Sequence, residues 1–325
     1  MAAITAAMVK ELREETGAGM MDCKKALAAN DGNMEAAVEF LRKNGQAKAE
    51  KKASRIAAEG LVKTVIDGNK AAIVEVNSET DFVAKNETFQ TYVAEVAAQA
   101  VASDAADMDA FMAEAWKADA SKTVKDALVE KIAVIGENLK IRRFEKIEEN
   151  NGCIVDYIHM GGKIGVLVDV ETDVVNDEIK EMAKNVAMQV AALNPKYVDR
   201  SEISEEYIAH EKEILMAQIQ NDPKESQKPA KVIEGMINGR INKEMKDICL
   251  VDQVYVKAED GKQTVGKYVA EVAKACGAKV SIKMCIRDSE YVPCRYSGSS
   301  CAPRKQESDY QSGNRKSPFR RTVYL

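Results

Sequence analysis

The sequence predicts an α+β protein that consists of an N-terminal three-helix unit, two related α+β subdomains and an inserted helical hairpin. Three observations predict this fold. Apolar residues recur at helical spacing through residues 1–45, which is typical of amphipathic helices. Two later segments repeat a strand, a Thr-Asp turn and an amphipathic helix. Residues 201–245 contain two helical patterns separated by the turn-forming run "NDPKESQKP", which predicts a helical hairpin.

The composition fits a globular protein. The 325 residues are 46% hydrophobic and 30% charged, which suits a chain of two or three domains. No run of apolar residues approaches the roughly 18 that a membrane span requires. The start, "MAAITAAMVKELREETG", carries charges at helical spacing and lacks the apolar stretch of a signal peptide. We therefore expect a cytoplasmic protein without membrane contact.

The net charge of −5 is unevenly distributed. Residues 284–325 carry eight Lys or Arg and four Asp or Glu, whereas the preceding 283 residues carry 39 basic and 48 acidic groups. An acidic body argues against a general affinity for the phosphates of nucleic acids. The seven cysteines show neither metal-ligand nor CxxC spacing, so we expect the body of the protein to contain reduced, mostly buried thiols.

Three short helices are predicted in residues 1–45. Their breaks fall at "TGAG", at "NDGN" and at Asn44-Gly45. The following run, "RKNGQAKAEKKASR", is basic and poor in large apolar residues. It predicts a solvated linker or an exposed helix, with a nucleic-acid contact as the alternative. The three apolar faces contain Ile4, Met8 and Leu12, then Met20, Cys23 and Leu27, and then Met34, Ala37, Val38 and Leu41.

The core contains an internal repeat. "VEVNSETDFVAKNETFQTYVAEVAAQ" begins at Val74, and "VDVETDVVNDEIKEMAKNVAMQVAA" begins at Val168. Both contain a Thr-Asp pair after a strand. We therefore expect a duplicated subdomain, in which each copy is a small sheet with helices packed on it. The matched positions are Thr80-Asp81 with Thr172-Asp173, and Phe89, Tyr92 and Val96 with Ile179, Met182 and Val186.

Further elements flank the repeat. "DGNK", residues 67–70, separates two strand-like runs and predicts a β-hairpin. Helical patterns occupy residues 107–118 and 122–135, whereas "NLKIRRFEKI", "GCIVDYIHM" and "KIGVLVDVETD" are extended. Strand-like "ICLVDQVYV", a helix in "TVGKYVAEVAKACGAKV" and a strand from about Ala278 follow the hairpin. The predicted seam of the hairpin contains Ile203, Tyr207, His210, Ile214 and Ala217, and its second helix carries Val232, Ile233, Met236, Ile237 and Ile241.

Phe82 lies in the connection between a strand and a helix. A phenylalanine in such a connection more often folds inward, and the residues alone favour that orientation. The second copy has the smaller Val174 at this position. This difference weakens the case for inward packing only modestly, because the two cores can differ in size.

No motif of a chemical active site is present in the sequence. Neither His159 nor His210 belongs to a recognisable catalytic motif. "GAGMMDCKKA" and "GGKIG" do not fit the phosphate-loop pattern GxxxxGK[ST]. We therefore expect that the protein is not an enzyme and has no cofactor and no metal site. Two alternatives stay open: a peptide-binding adapter that uses the three-helix unit, and a thiol-dependent enzyme that uses Cys23.

Four segments together resemble the bacterial elongation factor Ts family: "ITAAMVKELREETGAGMMDCKKAL", "ETDFVAKNETF", "KIAVIGENLKIRR" and "YIHMGGKIGVLV". The resemblance extends in order from residue 1 to about residue 282. It implies an N-terminal domain similar to ubiquitin-associated (UBA) domains, duplicated α+β core subdomains and an inserted antiparallel coiled-coil hairpin. The implied boundaries are 1–54 for the UBA-like domain and its basic linker, 55–148 for core subdomain N, 149–200 and 246–262 for core subdomain C, 201–245 for the hairpin, and 263–283 for a truncated C-terminal module.

The resemblance also implies a function, that of a guanine-nucleotide exchange factor. The implied partner is elongation factor Tu, either bound to GDP and magnesium or free of nucleotide, without direct contact to nucleic acid. The segment Thr80, Asp81, Phe82 and Val83 would dislodge the magnesium ion, with the Phe82 ring pointing outward into the partner. A homodimer through residues 201–245 and a contact of this hairpin with the partner both stay open. Further implied partner contacts are Arg13, Met20, Met21, Ile135, Gly136 and His159.

Residues 284–325 depart from the family pattern, which continues through a strand of the type F-x-R-F-E-x-G-E-G. This segment is rich in Ser and Pro and lacks apolar periodicity, which predicts a disordered and non-native tail. The alternative is a genuine basic tail with a nucleic-acid role. Loss of the family's last strand would expose a sheet edge and weaken the C-terminal module.

Overall fold

The first unit is a bundle of three helices in the computed structural model, which describes residues 4–289. The helices are α1 (Ala6–Thr16), α2 (Met20–Ala29) and α3 (Met34–Lys52). The side chains of Thr5 and Asn33 cap the first and the third of them. The predicted presence of three helices is confirmed. Their apolar faces meet in a small core of Val9, Leu12, Cys23, Ala26, Leu27 and Ala37.

The first core subdomain is a three-stranded antiparallel sheet covered by helices on one face. In its sheet, Lys70–Ser78 (β2) pairs with both Glu59–Asp67 (β1) and Lys140–Glu148 (β5), and the predicted hairpin at residues 67–70 is confirmed. The predicted helix over residues 107–118 is too long, because residues 115–116 pair with residues 119–123 as a strand instead. The elements are β1 (Glu59–Asp67), β2 (Lys70–Ser78), α4 (Asp81–Ala84), α5 (Glu87–Ala102), α6 (Met108–Ala113), β3 (Ala115–Trp116), β4 (Asp119–Thr123), α7 (Val124–Ile135) and β5 (Lys140–Glu148).

The second core subdomain repeats this plan around a sheet in which residues 164–172 pair with both residues 152–159 and residues 280–289. Its elements are β6 (Gly152–His159), β7 (Ile164–Thr172), α8 (Asp177–Leu193), α9 (Glu205–Asn221), α10 (Ala230–Ile248), α11 (Val265–Cys276) and β8 (Val280–Ser289). The structure thus mixes helices and sheets, as the α+β prediction requires. The predicted strand in "ICLVDQVYV" is wrong, because Leu250–Asp252 forms a turn of 3-10 helix that packs beside α11.

The repeat is confirmed in the packing of α5 and α8. The helices occupy equivalent positions after the second strand of each hairpin, and each presents its matched apolar residues to its own sheet. Amphipathic helices pack on a sheet in this way because only one face is apolar. The six matched side chains, Phe89, Tyr92, Val96, Ile179, Met182 and Val186, are all fully buried.

The helical hairpin is present, but its predicted seam is partly wrong. The Tyr207 hydroxyl at the start of α9 donates to Glu244 near the end of α10, at 2.8 Å, so the helices are antiparallel. His210 and Ala217 are exposed, because α9 turns a neighbouring stripe toward α10. That stripe contains Ile208, Leu215 and Ile219.

The C-terminal strand is longer than the sequence predicts. β8 pairs with β7 from Val280 to Ser289, and Ile286 is only 1% exposed because it packs beside Leu167 between the sheets. The prediction of disorder from residue 284 is therefore wrong for residues 284–289, and so is the predicted loss of the last strand. The remainder of the predicted tail, residues 290–325, lies outside the described residues.

The two sheets pack against each other through one apolar layer, which contains Val62, Ala71, Ile73, Ile147, Leu167 and Ile286. Thr64 of β1 donates a hydrogen bond of 2.6 Å to Asp156 of β6 across this interface. Gly165 of β7 allows the close approach, because a Cβ atom placed on it would lie 2.5 Å from Cγ1 of Val62. The two subdomains are therefore joined by a tight, mainly apolar contact.

The three-helix unit docks on α7 through the second half of α3. The predicted helix end at Asn44-Gly45 is wrong, because Gly45 is buried and a Cβ placed on it would contact Ala133 of α7 at 3.6 Å. Arg42 and Glu130 form an ion pair of 3.7 Å across the same contact. The contact with α7 thus favours continuation of α3 to Lys52.

Candidate functional site

Phe82 is the most exposed large apolar side chain of the described residues, at 81%. It lies on α4, a helix of four residues whose N-cap is Thr80. Ala84 of the same helix is buried, and Val83 packs against the core of the first subdomain. The helix therefore turns Val83 and Ala84 toward the protein and Phe82 away from it. The inward orientation that the residues alone favour is wrong.

Two carboxylates fix the base of α4. The Glu137 carboxylate accepts hydrogen bonds from the backbone N–H groups of Glu79 and Thr80, both at 3.1 Å, and from the Thr80 hydroxyl at 2.7 Å. The Glu79 carboxylate accepts the Asn138 N–H at 2.6 Å and contacts Arg55 at 3.4 Å. We call Glu79 and Glu137 the carboxylate pair. It joins the chain before α4 to the chain after α7.

Asp81 provides a half-exposed negative charge next to Phe82. Its carboxylate contacts Lys85 at 2.8 Å, one helical turn later. The hydrogen bond from Lys85 lowers the pKa of Asp81, and the positive charge of Lys163 contributes to the shift. The sequence of α4 thus places an ionised carboxylate and an apolar ring next to each other.

Ile135 and Gly136 lie beside this segment at the end of α7. Ile135 packs against the first core, and Gly136 ends the helix with a left-handed backbone, φ +86°. This conformation favours glycine. It turns the chain so that Glu137 faces Thr80. The structure therefore brings Ile135 and Gly136 together with Thr80–Val83.

His159 is the last residue of β6 and precedes a second exposed turn, which leads to β7. Its Nδ1 atom is 2.9 Å from the Tyr157 hydroxyl, and the next residue, Met160, is 72% exposed. The Gly162 carbonyl accepts the Val62 N–H at 2.7 Å, which attaches this turn to β1. Since α4 also packs on β1, the turn and α4 have a common support.

Arg13, Met20 and Met21 form a separate patch on the three-helix unit. All three are exposed, with Met20 at 59% and Met21 at 64%. Exposed methionines suit a contact surface, because their flexible thioethers adapt to a partner. Arg13 lies in the last turn of α1, and the two methionines lie at the start of α2. Gly17, which separates these helices, lies close to Val134 of α7.

Sequence reasoning missed the carboxylate pair and its partners. Glu79 precedes the Thr-Asp turn directly, and Glu137 follows the glycine that ends α7. The available signal was weak, because two acidic residues 58 positions apart give no pattern of spacing. Their relation becomes visible only when the fold places the end of α7 beside α4.

Three findings concern metal binding, thiol reactivity and membrane crossing in the described part of the chain. Residues 4–289 contain no group of three or more His, Cys, Asp or Glu side chains that could hold a metal ion. Cys23 is fully buried, and burial raises the pKa of its thiol, which disfavours the reactive thiolate. Within the same residues, no helix combines the length and the apolar character that crossing a bilayer requires.

Comparison with known proteins places the chain in a family. The family model described as elongation factor TS matches residues 79–287, which include α4, the carboxylate pair and His159. An elongation factor Ts from Clostridioides difficile is 51% identical over 289 residues, which cover 88% of this chain and 92% of the relative. The chain belongs to the elongation factor Ts family. The resemblance found in the sequence is thus confirmed.

Other elongation factor Ts proteins agree with this assignment. The protein from Clostridium novyi is 48% identical over 286 residues, which cover 87% of this chain and 92% of that protein. The protein from Trichlorobacter lovleyi is 47% identical over 287 residues, with coverages of 86% and 90%. The described features of α4 therefore belong to an elongation factor Ts fold that is matched along most of its length.

Proposed function

We propose that this chain promotes GDP release from elongation factor Tu by inserting the Thr80–Val83 segment next to the partner's magnesium site. Its family is that of the guanine-nucleotide exchange factors of translation elongation, which makes elongation factor Tu the implied partner. The observation that carries the proposal is the exposure of Phe82 on a short helix with a fixed base. A monomeric protein gains nothing from such exposure, whereas a partner can bury the ring.

The physical basis is the linkage between two binding equilibria. A nucleotide-binding protein holds GDP largely through magnesium and backbone donors around the phosphates. A factor that prefers the nucleotide-free conformation weakens nucleotide binding by the same factor as the nucleotide weakens factor binding. Burial of one phenylalanine contributes about 1.5–3 kcal/mol. At about 1.4 kcal/mol per factor of ten, this ring can change GDP affinity by roughly one to two orders of magnitude.

The other site residues contribute around this segment. The negative charge of Asp81 accompanies the ring and competes with phosphate oxygens for the positive charge of magnesium. Ile135 and Gly136 hold the neighbouring surface, and His159 extends it at the end of β6. Arg13, Met20 and Met21 contact the partner from the three-helix unit, which we propose to be UBA-like. These contacts hold the factor in place without acting on the metal.

The proposed activity makes and breaks no covalent bond, so the protein acts as an exchange factor and not as a chemical catalyst. It requires no cofactor of its own. The excess of acidic groups in residues 1–283 favours a protein partner over nucleic acid. We propose the cytoplasm as its location, since that is where a translation factor meets its partner.

We propose further that the hairpin of α9 and α10 is a coiled coil that binds a second copy of the chain. The stripe of α9 that does not face α10 contains His210, Ile214 and Ala217, all exposed. Residues at a spacing of four and three, with Ile214 and Ala217 as the apolar members, suit a seam with another helix. A homodimer would cover this stripe.

Release of fluorescent GDP from elongation factor Tu tests the proposed function. Phe82→Ala should slow release about tenfold or more at saturating factor, because the free energy of burying the ring in the partner is lost. Val175→Ala is the matched control, because Val175 is a half-exposed residue of the sister loop. It should match the wild type. An unchanged rate with Phe82→Ala would refute the role of the ring.

The adapter hypothesis uses the same exposed methionines and makes a different prediction. If peptide binding by the three-helix unit were the function, replacement of Met20 and Met21 by serine would abolish partner binding. The exchange proposal predicts a higher half-saturating concentration for that double variant and an unchanged maximum release rate. Titration of the factor against elongation factor Tu separates the two outcomes.

A further inference from the structure

The carboxylate pair suggests a role beyond stability of the loop. Glu137 is partly buried, and its two oxygens accept three hydrogen bonds, all from Glu79 and Thr80. These bonds are charge-assisted, which makes each stronger than a neutral hydrogen bond. They end immediately before Asp81 and Phe82. The position of Phe82 is therefore set by a group that lies far away in the sequence.

The connection continues into the segment before β1. Glu79 accepts the N–H of Asn138 at 2.6 Å, and the Asn138 amide donates to the backbone carbonyl of Arg55 at 2.8 Å. Arg55 in turn contacts the Glu79 carboxylate. Three chain segments thus meet under α4, with each carboxylate of the pair accepting backbone N–H groups of the other's segment.

The sister loop provides an internal comparison. There the Thr172 hydroxyl contacts the backbone of Val174, at 3.0 Å from its carbonyl and 3.2 Å from its N–H. Asp173 accepts the Lys279 N–H at 2.7 Å. The loop has no helical turn before α8, and Val174 is partly buried. The copy that has the carboxylate pair is thus the copy that displays an aromatic ring on a helical turn.

We propose that Glu137 is a positioning residue for nucleotide exchange, which holds α4 so that Phe82 is oriented before the partner binds. This inference rests on the proposed function of Phe82. A loop that must order itself as the ring inserts into the docked partner loses conformational entropy for each residue that becomes fixed. A loop that is already ordered avoids this loss. Glu137 acts on the rate through Phe82 and does not itself contact the nucleotide.

The test is a double-variant cycle with Glu137→Ala and Phe82→Ala, measured as GDP release over a range of factor concentrations. Glu137→Ala alone should lower the maximum release rate about tenfold, the effect of losing roughly one ordered residue, with a smaller change in the half-saturating concentration. In the Phe82→Ala background, the same substitution should change the maximum rate less than twofold, because the ring that it positions is absent.

The matched control is Glu114→Ala. Glu114 is also partly buried in the first subdomain and also accepts two side-chain hydrogen bonds, from Gln99 and Ser103, but it lies away from α4. It should keep the wild-type release rate. Glu137→Gln keeps one acceptor oxygen and should show an intermediate rate, which preserves the test if the alanine variant unfolds.

Two results would overturn the inference while leaving the proposed function intact. One is a Glu137→Ala rate equal to that of Glu114→Ala, while Phe82→Ala is slow. The other is an equal loss from Glu137→Ala with and without Phe82, which would show that the two residues act independently. If Phe82→Ala itself releases GDP at the wild-type rate, the proposed function fails instead.

Discussion

Phe82 and Val174 follow equivalent Thr-Asp pairs, yet the Phe82 ring is exposed on a helical turn and Val174 is partly buried in an extended loop. The helices after them, α5 and α8, bury equivalent residues in equivalent cores. The difference between the copies is thus confined to the connection and to the contacts beneath it. A change of function within a preserved scaffold produces this pattern, because loops tolerate changes that cores do not.

The two phenylalanines Phe82 and Phe89 should respond in opposite ways to truncation. Phe89 is fully buried under the first sheet, so Phe89→Ala should lower the free energy of unfolding by about 3–5 kcal/mol. Phe82→Ala should change it by less than about 0.5 kcal/mol, because the ring is already in water. Urea unfolding followed by circular dichroism measures both. A large loss of unfolding free energy with Phe82→Ala would show that the ring packs in the core of its own chain.

Gly165 should be sensitive to a single methyl group. A Cβ atom there would meet Val62 at 2.5 Å and Ile73 at 3.1 Å, so Gly165→Ala should destabilise the protein by about 1–3 kcal/mol through overpacking. Gly235→Ala is the control of opposite sign. It lies in α10 with open space around it, and alanine should stabilise that helix by up to about 1 kcal/mol. Thermal unfolding of both variants checks the prediction, and a neutral Gly165→Ala would contradict the tight packing of the sheets.

A buried carboxyl pair should make stability depend on pH. Asp169 and Glu149 are both buried near Lys283, which contacts Glu149 and Glu171 at 3.3 Å. Burial, followed by the hydrogen bond and charge of Glu149, raises the pKa of Asp169 to about 7. Burial opposes ionisation of Glu149 as well, but hydrogen bonds from Asn151, Asp169 and Lys283 outweigh it and lower the pKa of Glu149.

The sign of the pH effect follows from Asp169. The folded protein keeps a proton on Asp169 that the unfolded chain releases near pH 4. The contribution of Asp169 to the free energy of unfolding should therefore fall as the pH rises from about 4 to about 7, by at most about 1.4 kcal/mol per pH unit. Asp169→Asn should remove this fall, because the amide stays neutral and can still donate to Glu149. Urea titrations of both proteins at several pH values measure the difference. If the unfolding free energies of the two proteins changed with pH in parallel, the proton on folded Asp169 would be contradicted.

The stripe of α9 that faces solvent should control self-association. Ile214→Lys places a charge in the middle of this stripe, so a homodimer through α9 should become a monomer. Sedimentation velocity at micromolar concentration measures the change. Lys212→Glu, at an exposed position outside the stripe, should leave a dimer intact. A wild-type chain that sediments as a monomer would contradict the proposed homodimer.

The sequence predicts β1, β2, β5, β6 and β7, the repeat, and the helices α5 and α8, because their apolar periods are regular. It misses α4, since four residues are too few to show a period. It assigns His210, Ile214 and Ala217 to the side of α9 that faces α10, because a second stripe of that helix is also apolar and only contact with α10 selects between them. The continuation of β8 through Ile286 depends on pairing with β7. Residues 284–289 lack the alternation of apolar and polar residues that would predict this strand.

The sequence predicted only some features of the candidate site. The resemblance gives Thr80–Val83 as the exchange segment, but the residues alone favour the wrong orientation of Phe82. The contacts of Glu137 with Thr80 arise from the fold and have no local signal. Exposure of a ring depends on how its base is held, and that base is built from segments more than 50 residues apart.

If Phe82 acts by displacing magnesium from elongation factor Tu, the effect of this ring on GDP release should depend on magnesium. Release by the wild type and by Phe82→Ala is measured with millimolar magnesium and again with an excess of chelator. With magnesium, the variant should be about tenfold slower or more. Without the metal, the two should agree within about twofold, because the step that the ring performs has already occurred. An equal defect of Phe82→Ala in both conditions would contradict the claim.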